Sequence, residues 1–328
     1  MTDPRFPIPI DPEIVGSLEA MSGMGPRVMT EDAVRASRTP GTGFPTPTTA
    51  ELIGDRGVEF EDRTIPGPDG APELAITILR PQGLAGGVPV LYNIHGGGMI
   101  VGTKEMDTGR LVELVEALGV VAVNVEYRLA PEHPYPAGAE DVYAGFLWVA
   151  ANAASLGGDP DRIVVMGGSA GGGFSAIVAL LQRDRRGPAL AGQLLLCPMI
   201  DNTSSTVSAR QYADPALAAW PLENNQLAWR MVLGDQLAHS PDAPAHGAPS
   251  RAADLSGLAP AFIEVGSAEM FRDEDVEYAS RIWAAGGDCE LHVWAGGFHG
   301  FDMVAGDAEI TRAAKAARTS WLKRKLGL

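Results

Sequence analysis

Two short glycine-rich motifs hold residue types that could carry out nucleophilic chemistry. The first, Gly167–Gly171, reads G-x-S-x-G around Ser169 and lies between a β-prone run and an apolar helical pattern. A serine on such a tight strand-to-helix turn projects its hydroxyl above a sheet, and the flanking glycines let strand and helix approach. We therefore predict that Ser169 is a nucleophile, and that the amide of Ala170 faces the negative charge that develops.

The second motif, His95-Gly96-Gly97-Gly98, follows the predicted strand Val88–Ile94. Glycines leave room for an oxygen atom close to the backbone, and two amides on such a loop can donate to an oxyanion. We predict an oxyanion hole built from the amides of Gly97, Gly98 and Ala170, which is the arrangement that acyl transfer requires.

Together the two motifs resemble those of the hormone-sensitive-lipase-like esterases of the α/β-hydrolase superfamily, in which H-G-G-G and a G-D-S-A-G-G elbow occur together. The likeness spans about residues 85–304 and includes Tyr127–Glu132, Asp141 and Leu258–Pro260. It implies a serine carboxylesterase with a triad in the chain order Ser, acid, His and with no metal or other cofactor. Gly168 departs from the family pattern, which has Asp at this position.

The same resemblance predicts the other two triad residues. His299, in Gly297–Phe301 just past the last predicted strand, matches the family's H-G-F element and is the predicted general base. At the position where the family carries the acid of the triad, this sequence has Glu269. Asp273, about one helical turn further on, is the rival candidate. The neighbouring Glu274 and Asp275 fit a solvated helix face.

The remaining histidines have other predicted places. His95 belongs to the oxyanion loop and His292 to a strand, whereas three histidines in Pro-rich loops are expected at the surface: His133, His239 and His246.

Substrate contacts are predicted from bulky residues near these motifs. Met99 stands where an aromatic residue often follows the three glycines. Its flexible side chain suggests a softer or roomier acyl-binding side of the pocket, and a role in filling the core is equally consistent. Trp220 and Trp229 lie at helix-like spacing in an insertion and are expected to shape a modest apolar pocket for short acyl or aryl esters.

Alternating strand and helix patterns predict one α/β-hydrolase domain, an eight-stranded, mostly parallel sheet covered by helices on both faces. A helical cap is expected from residues 1–50 and about 203–235, on a core of about 51–202 and 236–328. The predicted strands are Val58–Ile65, Leu74–Arg80, Val88–Ile94, Val120–Tyr127, Arg162–Met166, Gln193–Met199, Ala261–Val265 and Glu290–Trp294. Helices are predicted at about 11–21, 30–38, 106–118, 138–156, 170–184, 272–285 and 307–325.

Composition narrows the possible partners. A formal charge of −16 over 328 residues disfavours binding to nucleic acid and to anionic membranes. Cys197 and Cys289 suggest reduced thiols and, with no secretory signal in residues 1–10, a cytoplasmic protein. A homodimer through the sheet edge at Glu290–Trp294 is a further expectation from the resemblance.

Several other functions remain open at this level. Gly171–Ala176 fits G-x-G-x-x-A, but the nearest acid, Asp201, lies beyond the roughly 20-residue spacing of a ribose contact. A non-catalytic small-molecule-binding protein on the same fold is the stronger rival, disfavoured because all three triad positions hold competent groups. An amidase, lactonase or acyltransferase could use the same triad.

Overall fold

The computed structural model describes residues 7–22, 28–39 and 47–328, and eight strands in these ranges form one sheet. The strands are β1 Val58–Ile65, β2 Leu74–Pro81, β3 Val88–Ile94, β4 Val121–Val125, β5 Gly158–Gly168, β6 Gly192–Leu196, β7 Ala261–Gly266 and β8 Cys289–Trp294. All eight predicted strands are confirmed. The main differences are that β5 starts earlier than predicted, while β4 and β6 end earlier.

The sheet order is β1-β2-β4-β3-β5-β6-β7-β8. Strand β2 pairs antiparallel with both β1 and β4, and every later pair is parallel. Every residue of β4, β6 and β7 is buried, because helices cover both faces of the parallel part. The predicted α/β-hydrolase architecture is confirmed.

Eleven α-helices lie within the described ranges. They are α1 Val15–Ser22, α2 Glu31–Ala36, α3 Thr49–Ile53, α4 Thr108–Leu118, α5 Ala137–Asn152, α6 Ala170–Asp184, α7 Val207–Gln211, α8 Leu222–Leu233, α9 Arg272–Ala284, α10 Phe301–Val304 and α11 Glu309–Leu326. The seven predicted helices are present. Helices α3, α7 and α10 have only five, five and four residues, too few for a periodic pattern in the sequence.

The segments predicted to form a cap contact each other and the core. The amide of Met29 donates to Asn224 Oδ1 of α8 at 2.7 Å, and Arg38 donates to the carbonyl of Ala130 at 2.7 Å. Parts of the predicted N-terminal cap, residues 1–6, 23–27 and 40–46, lie outside the described residues. Among the described helices, none has the length and apolar character needed to cross a membrane.

Because these strands run parallel, the loops that follow five of them lie at the same end of the sheet. His95 follows β3, Ser169 follows β5, Cys197 follows β6, Glu269 follows β7 and His299 follows β8. This is the end where the carboxyl termini of the parallel strands lie, and it is where ligands bind in open α/β sheets.

Candidate active site

Ser169 lies on a strained turn between β5 and α6. Its φ of 56° and ψ of −120° fall in a region that favours glycine. The turn is compact: a Cβ atom on Gly167 would lie 2.5 Å from the carbonyl oxygen of Ile94, and one on Gly171 would lie 1.9 Å from the same oxygen. Both flanking glycines are therefore required on steric grounds, as the motif suggested.

His299 connects Ser169 to Glu269. Its Nε2 lies 3.0 Å from Ser169 Oγ, and its Nδ1 lies 2.5 Å from Glu269 Oε2. The second carboxylate oxygen, Oε1, accepts from the amide of Gly266 at 3.1 Å. The Glu269 side chain is only 2% exposed, against 13% for His299. The imidazole is thus held between a buried, hydrogen-bonded carboxylate and the serine hydroxyl.

Asp273, the rival acid, lies elsewhere. Its Oδ2 accepts from the amide of Ser208 in the first turn of α7 at 2.8 Å, and its Oδ1 accepts from Arg272 Nε at 2.8 Å. The carboxylate therefore helps to hold α7 against α9 and has no contact with His299 among the described hydrogen bonds.

The prediction that Glu274 and Asp275 form a solvated helix face was wrong. Their exposed fractions are 3% and 0%. The first turn of α9 is buried because its acidic side lies against the loop after β6, where Glu274 Oε1 accepts from the amides of Ile200 and Asp201. Charge alone did not indicate burial, since the sequence does not show which elements pack against α9.

The oxyanion loop consists of three successive residues in left-handed conformations, with φ of 107° at Gly97, 62° at Gly98 and 64° at Met99. A Cβ on Gly97 would lie 2.0 Å from the carbonyl oxygen of Val101, so only glycine fits there. Within the described part of the chain, the amides of Gly97, Gly98 and Ala170 donate to no acceptor. Three free N–H groups at a crowded site form a potential oxyanion hole.

His95, directly before the three glycines, supports this loop from the protein interior. It is fully buried and stacks on Tyr127 with ring centroids 4.2 Å apart. The Tyr127 hydroxyl donates to the His95 carbonyl at 3.0 Å. His133 and His239 are exposed as predicted, whereas His246 is half-buried, with Nε2 2.8 Å from Asp184 Oδ2.

Trp220 and Met99 have different surroundings at the oxyanion loop. A Cβ on Gly98 would lie 2.7 Å from two ring carbons of Trp220, so the half-buried indole lies against this glycine. Met99 is 2% exposed and lines an apolar cavity with Phe174 and Val232. Trp229 is fully buried in the core, and its part in shaping the pocket stays a prediction.

A buried ionic network lies next to the serine and histidine loops, and the sequence analysis missed it. Asp302 Oδ2, three residues after His299, lies 2.8 Å from Arg318 Nη1 and 3.1 Å from Arg110 Nη2. Arg110 also lies 2.7 Å from Asp107 Oδ1, and a Cβ on Gly168 would lie 3.3 Å from its Nη1. The network therefore contacts both loops. The charges come from helices far apart in the chain, so no local motif could reveal it.

Cys197 is a second residue that the sequence analysis did not place at the site. Its sulfur, a carboxylate oxygen of Glu269 and a ring nitrogen of His299 all lie within 4.8 Å of one another. The signal was its position directly after β6, next to the strand that carries Ser169. Burial, together with the charge of Glu269, raises the pKa of the thiol well above its usual value, so it remains protonated and a weak nucleophile. Cys289 is also unpaired.

Taken together, the fold and the arrangement of Ser169, His299 and Glu269 define a serine hydrolase of the α/β-hydrolase class. Residues 91–303 match a protein-family model described as an alpha/beta hydrolase fold. This match covers more than half of the chain, and the chain belongs to that family.

Two sequence relatives are named as esterases. Carboxylesterase NlhH of Mycobacterium tuberculosis is 39% identical over 285 residues, which are 85% of this chain and 86% of the relative. Esterase LipI of the same organism is 37% identical over 66% of this chain and 67% of its own length.

Among solved structures, a bacterial heroin esterase is 37% identical with a TM-score of 0.86, covering 98% of this chain and 99% of that one. A thermostable esterase from Pseudomonas putida is 29% identical with a TM-score of 0.84, covering 97% and 98%. The prediction of a serine carboxylesterase is confirmed.

Proposed function

We propose that this carboxylesterase cleaves esters of short acyl chains through an acyl-enzyme on Ser169, with His299 as general base and Glu269 as the acid that orients it. The observation that carries the proposal is the continuous chain from Ser169 Oγ to His299 Nε2 at 3.0 Å and from Nδ1 to Glu269 Oε2 at 2.5 Å. Unlike Asp273, Glu269 is both buried and in contact with the imidazole.

The reaction has two halves that use the same groups. Ser169 Oγ attacks the ester carbonyl while its proton moves to His299 Nε2, and the buried Glu269 carboxylate stabilises the resulting imidazolium. His299 then returns the proton to the departing alkoxide, and the acyl group stays on Ser169. Water then loses a proton to the same nitrogen and attacks the acyl-enzyme, and His299 returns that proton to Ser169 Oγ as the acid leaves.

Negative charge on the carbonyl oxygen is met by the amides of Gly97, Gly98 and Ala170. These donors are free before substrate arrives, within the described residues. Because left-handed backbone at Gly97 and Gly98 holds the loop in place, little reorganisation is needed as the oxyanion forms. Each such donor is worth about 3 kcal/mol of transition-state stabilisation where donors have been removed.

The acyl preference is proposed from the space beside the oxyanion loop. Trp220 lies against Gly98, and its indole N–H is held by Asn225 Oδ1 at 3.3 Å. Met99, the next residue along the chain after Gly98, is almost fully buried and offers little surface to a substrate. A bulky, tethered indole against the oxyanion loop would leave room for only a short acyl group.

Labelling of the nucleophile tests the mechanism. A serine-directed organophosphonate should add one mass equivalent at Ser169 and abolish hydrolysis, and Ser169→Ala should remove both labelling and activity. Ser280→Ala, on the exposed face of α9, is the matched control and should behave as wild type. Full labelling with hydrolysis intact would rule the proposal out, as would loss of activity on treatment with EDTA.

A series of soluble esters of graded acyl length tests the pocket. Trp220→Ala should raise kcat/KM for octanoyl relative to butyryl esters by about tenfold, since about two methylene groups at roughly 0.8 kcal/mol each gain room. Trp283→Ala, an exposed tryptophan on α9, is the control. Wild-type enzyme that hydrolyses long-chain triacylglycerol emulsions faster than acetyl or butyryl esters would contradict the short-chain preference.

Two other expectations remain predictions. A cytoplasmic location is supported by the two unpaired cysteines. A homodimer through β8 is supported by the position of β8 at the edge of the sheet.

A further inference from the structure

Cys197, Glu269 and His299 place a sulfur, a carboxylate oxygen and an imidazole nitrogen together at the end of the sheet. The three atoms lie within 4.8 Å of one another. Thiolate, imidazole and carboxylate are the ligand types that zinc binds most often in proteins. In the proposed mechanism only Glu269 and His299 have roles, so the position of the thiol is unexplained by catalysis.

The separations are close to those of a tetrahedral metal site. With zinc bonds of about 2.3 Å to sulfur and about 2.0–2.2 Å to nitrogen and oxygen, bound ligand atoms lie roughly 3.5 Å apart. The Cys197 sulfur would have to approach by up to about 1.3 Å, and the close pair between His299 and Glu269 would have to open by about 1 Å.

The backbone of Cys197 is held in an unusual conformation next to Glu269 and His299. Its φ is 40°, an unusual conformation for a residue with a side chain, and its amide donates to the carbonyl of Glu264 at 2.6 Å. His299 is partly exposed while Glu269 is buried. A cation could therefore reach the site past the imidazole, with its fourth position open to water.

The surrounding charges favour a cation. The largest charge effect on the Cys197 thiol comes from the Glu269 carboxylate. Arg110, whose positive charge opposes it, is already bound by Asp107 and Asp302. A divalent ion would be attracted by the carboxylate that remains.

We propose that Cys197, Glu269 and His299 form an inhibitory site for a thiophilic divalent cation, Zn²⁺ in particular. On binding, the thiol proton leaves to solvent, the metal takes a ring nitrogen of His299, and the hydrogen bond to Glu269 is broken. His299 can then no longer accept the proton of Ser169. This inference rests on the proposed function, because inhibition follows from the role of His299 as general base.

Zinc titration of the full chain, stripped with EDTA and desalted, tests the site by two readouts. Calorimetry should show one equivalent of bound Zn²⁺ in the wild type, and hydrolysis of a butyryl ester should fall with the same affinity and recover when EDTA is added. Cys197→Ser and Cys197→Ala should each weaken binding more than about tenfold, since losing even an outer partner of a metal ligand commonly costs that much. Each variant's inhibition is expressed relative to its own zinc-free rate.

Cys289→Ser is the matched control and should bind and respond as wild type. Equal zinc affinity in Cys197→Ser, Cys197→Ala and wild type would overturn the proposal, as would a wild type that binds no zinc. Either result would leave organophosphonate labelling of Ser169 intact. Failure of the proposed function would instead appear as loss of that labelling in zinc-free enzyme, so the two failures can be told apart.

Discussion

Two sets of buried carboxyl groups lie in the segments around the active site, and they are stabilised differently. After β8, Asp302 contacts Arg110 and Arg318, and Glu264 accepts from Arg318 Nε at 2.6 Å. In the first turn of α9, by contrast, neither oxygen of Asp275 has a hydrogen-bond partner in the described part of the chain.

This difference decides which acids carry charge. Burial opposes ionisation of Asp302, but Arg318 and Arg110 together hold its pKa well below the usual range. Burial and the charge of Glu274 raise the pKa of Asp275 well above the usual range. Depth in the protein is therefore a poor guide to charge: the arginines contributed by α4 and α11 determine it.

The largest expected effect separates the acids within the β7–α9 segment. Glu269→Ala should lower kcat for a soluble butyryl ester by about 10³ to 10⁴, because the imidazole loses the carboxylate that orients it and stabilises its charged form. Glu269→Asp should give an intermediate loss, since the shorter side chain keeps the charge but reaches less far.

Asp273→Ala is the matched control, because this acid contacts Ser208 and Arg272 instead of His299. Its kcat should stay within a few-fold of wild type. The reverse ranking, with Asp273→Ala the inactive enzyme, would show that the structure and the family register had both assigned the wrong acid.

The next largest effect concerns the buried carboxyl groups that pair with Arg318. Arg318→Met should lower the free energy of unfolding by about 3–5 kcal/mol, since it leaves Asp302 and Glu264 buried without their shared cation. Arg324→Met, an exposed arginine on the same helix, should cost less than about 1 kcal/mol. Urea unfolding followed by tryptophan fluorescence measures both. Similar losses for the two variants would mean that the buried network contributes no more than a surface pair.

The smallest effect is a pH dependence of the free energy of unfolding that comes from Asp275 in the first turn of α9. Above a pH of about 4 the unfolded chain ionises Asp275 while the folded protein keeps the proton. Stability from this group is therefore complete below about pH 4 and is lost as the pH rises toward the folded pKa, by about 1.4 kcal/mol per unit. Asp302 has the opposite sign: its contribution is complete above the unfolded pKa and is lost as the pH falls.

Asp275→Asn should remove the loss at high pH while keeping the shape of the side chain. The stability of this variant relative to wild type, measured by urea unfolding from pH 4 to pH 8, should therefore increase with pH. A difference that is constant across this range would show that Asp275 is ionised in the folded protein, and the contrast with Asp302 would then disappear.

The sequence by itself determined the parts of the site that depend on local sterics. The glycines around Ser169 are required by contacts within one turn, and the three glycines after β3 allow backbone that other residues adopt poorly, so both motifs could be recognised without coordinates. Strand patterns were equally readable, because a parallel strand buried on both faces is a short apolar run.

Only the tertiary structure decided which polar groups meet. The choice between Glu269 and Asp273 depends on whether a side chain at the end of β7 or in α9 reaches a loop 30 residues away. The burial of Asp275, the pairing of Arg318 with Asp302 and the approach of Cys197 to His299 likewise join elements distant in the chain. Such contacts depend on sheet order and helix packing, and the properties of a residue's neighbours in sequence do not specify them.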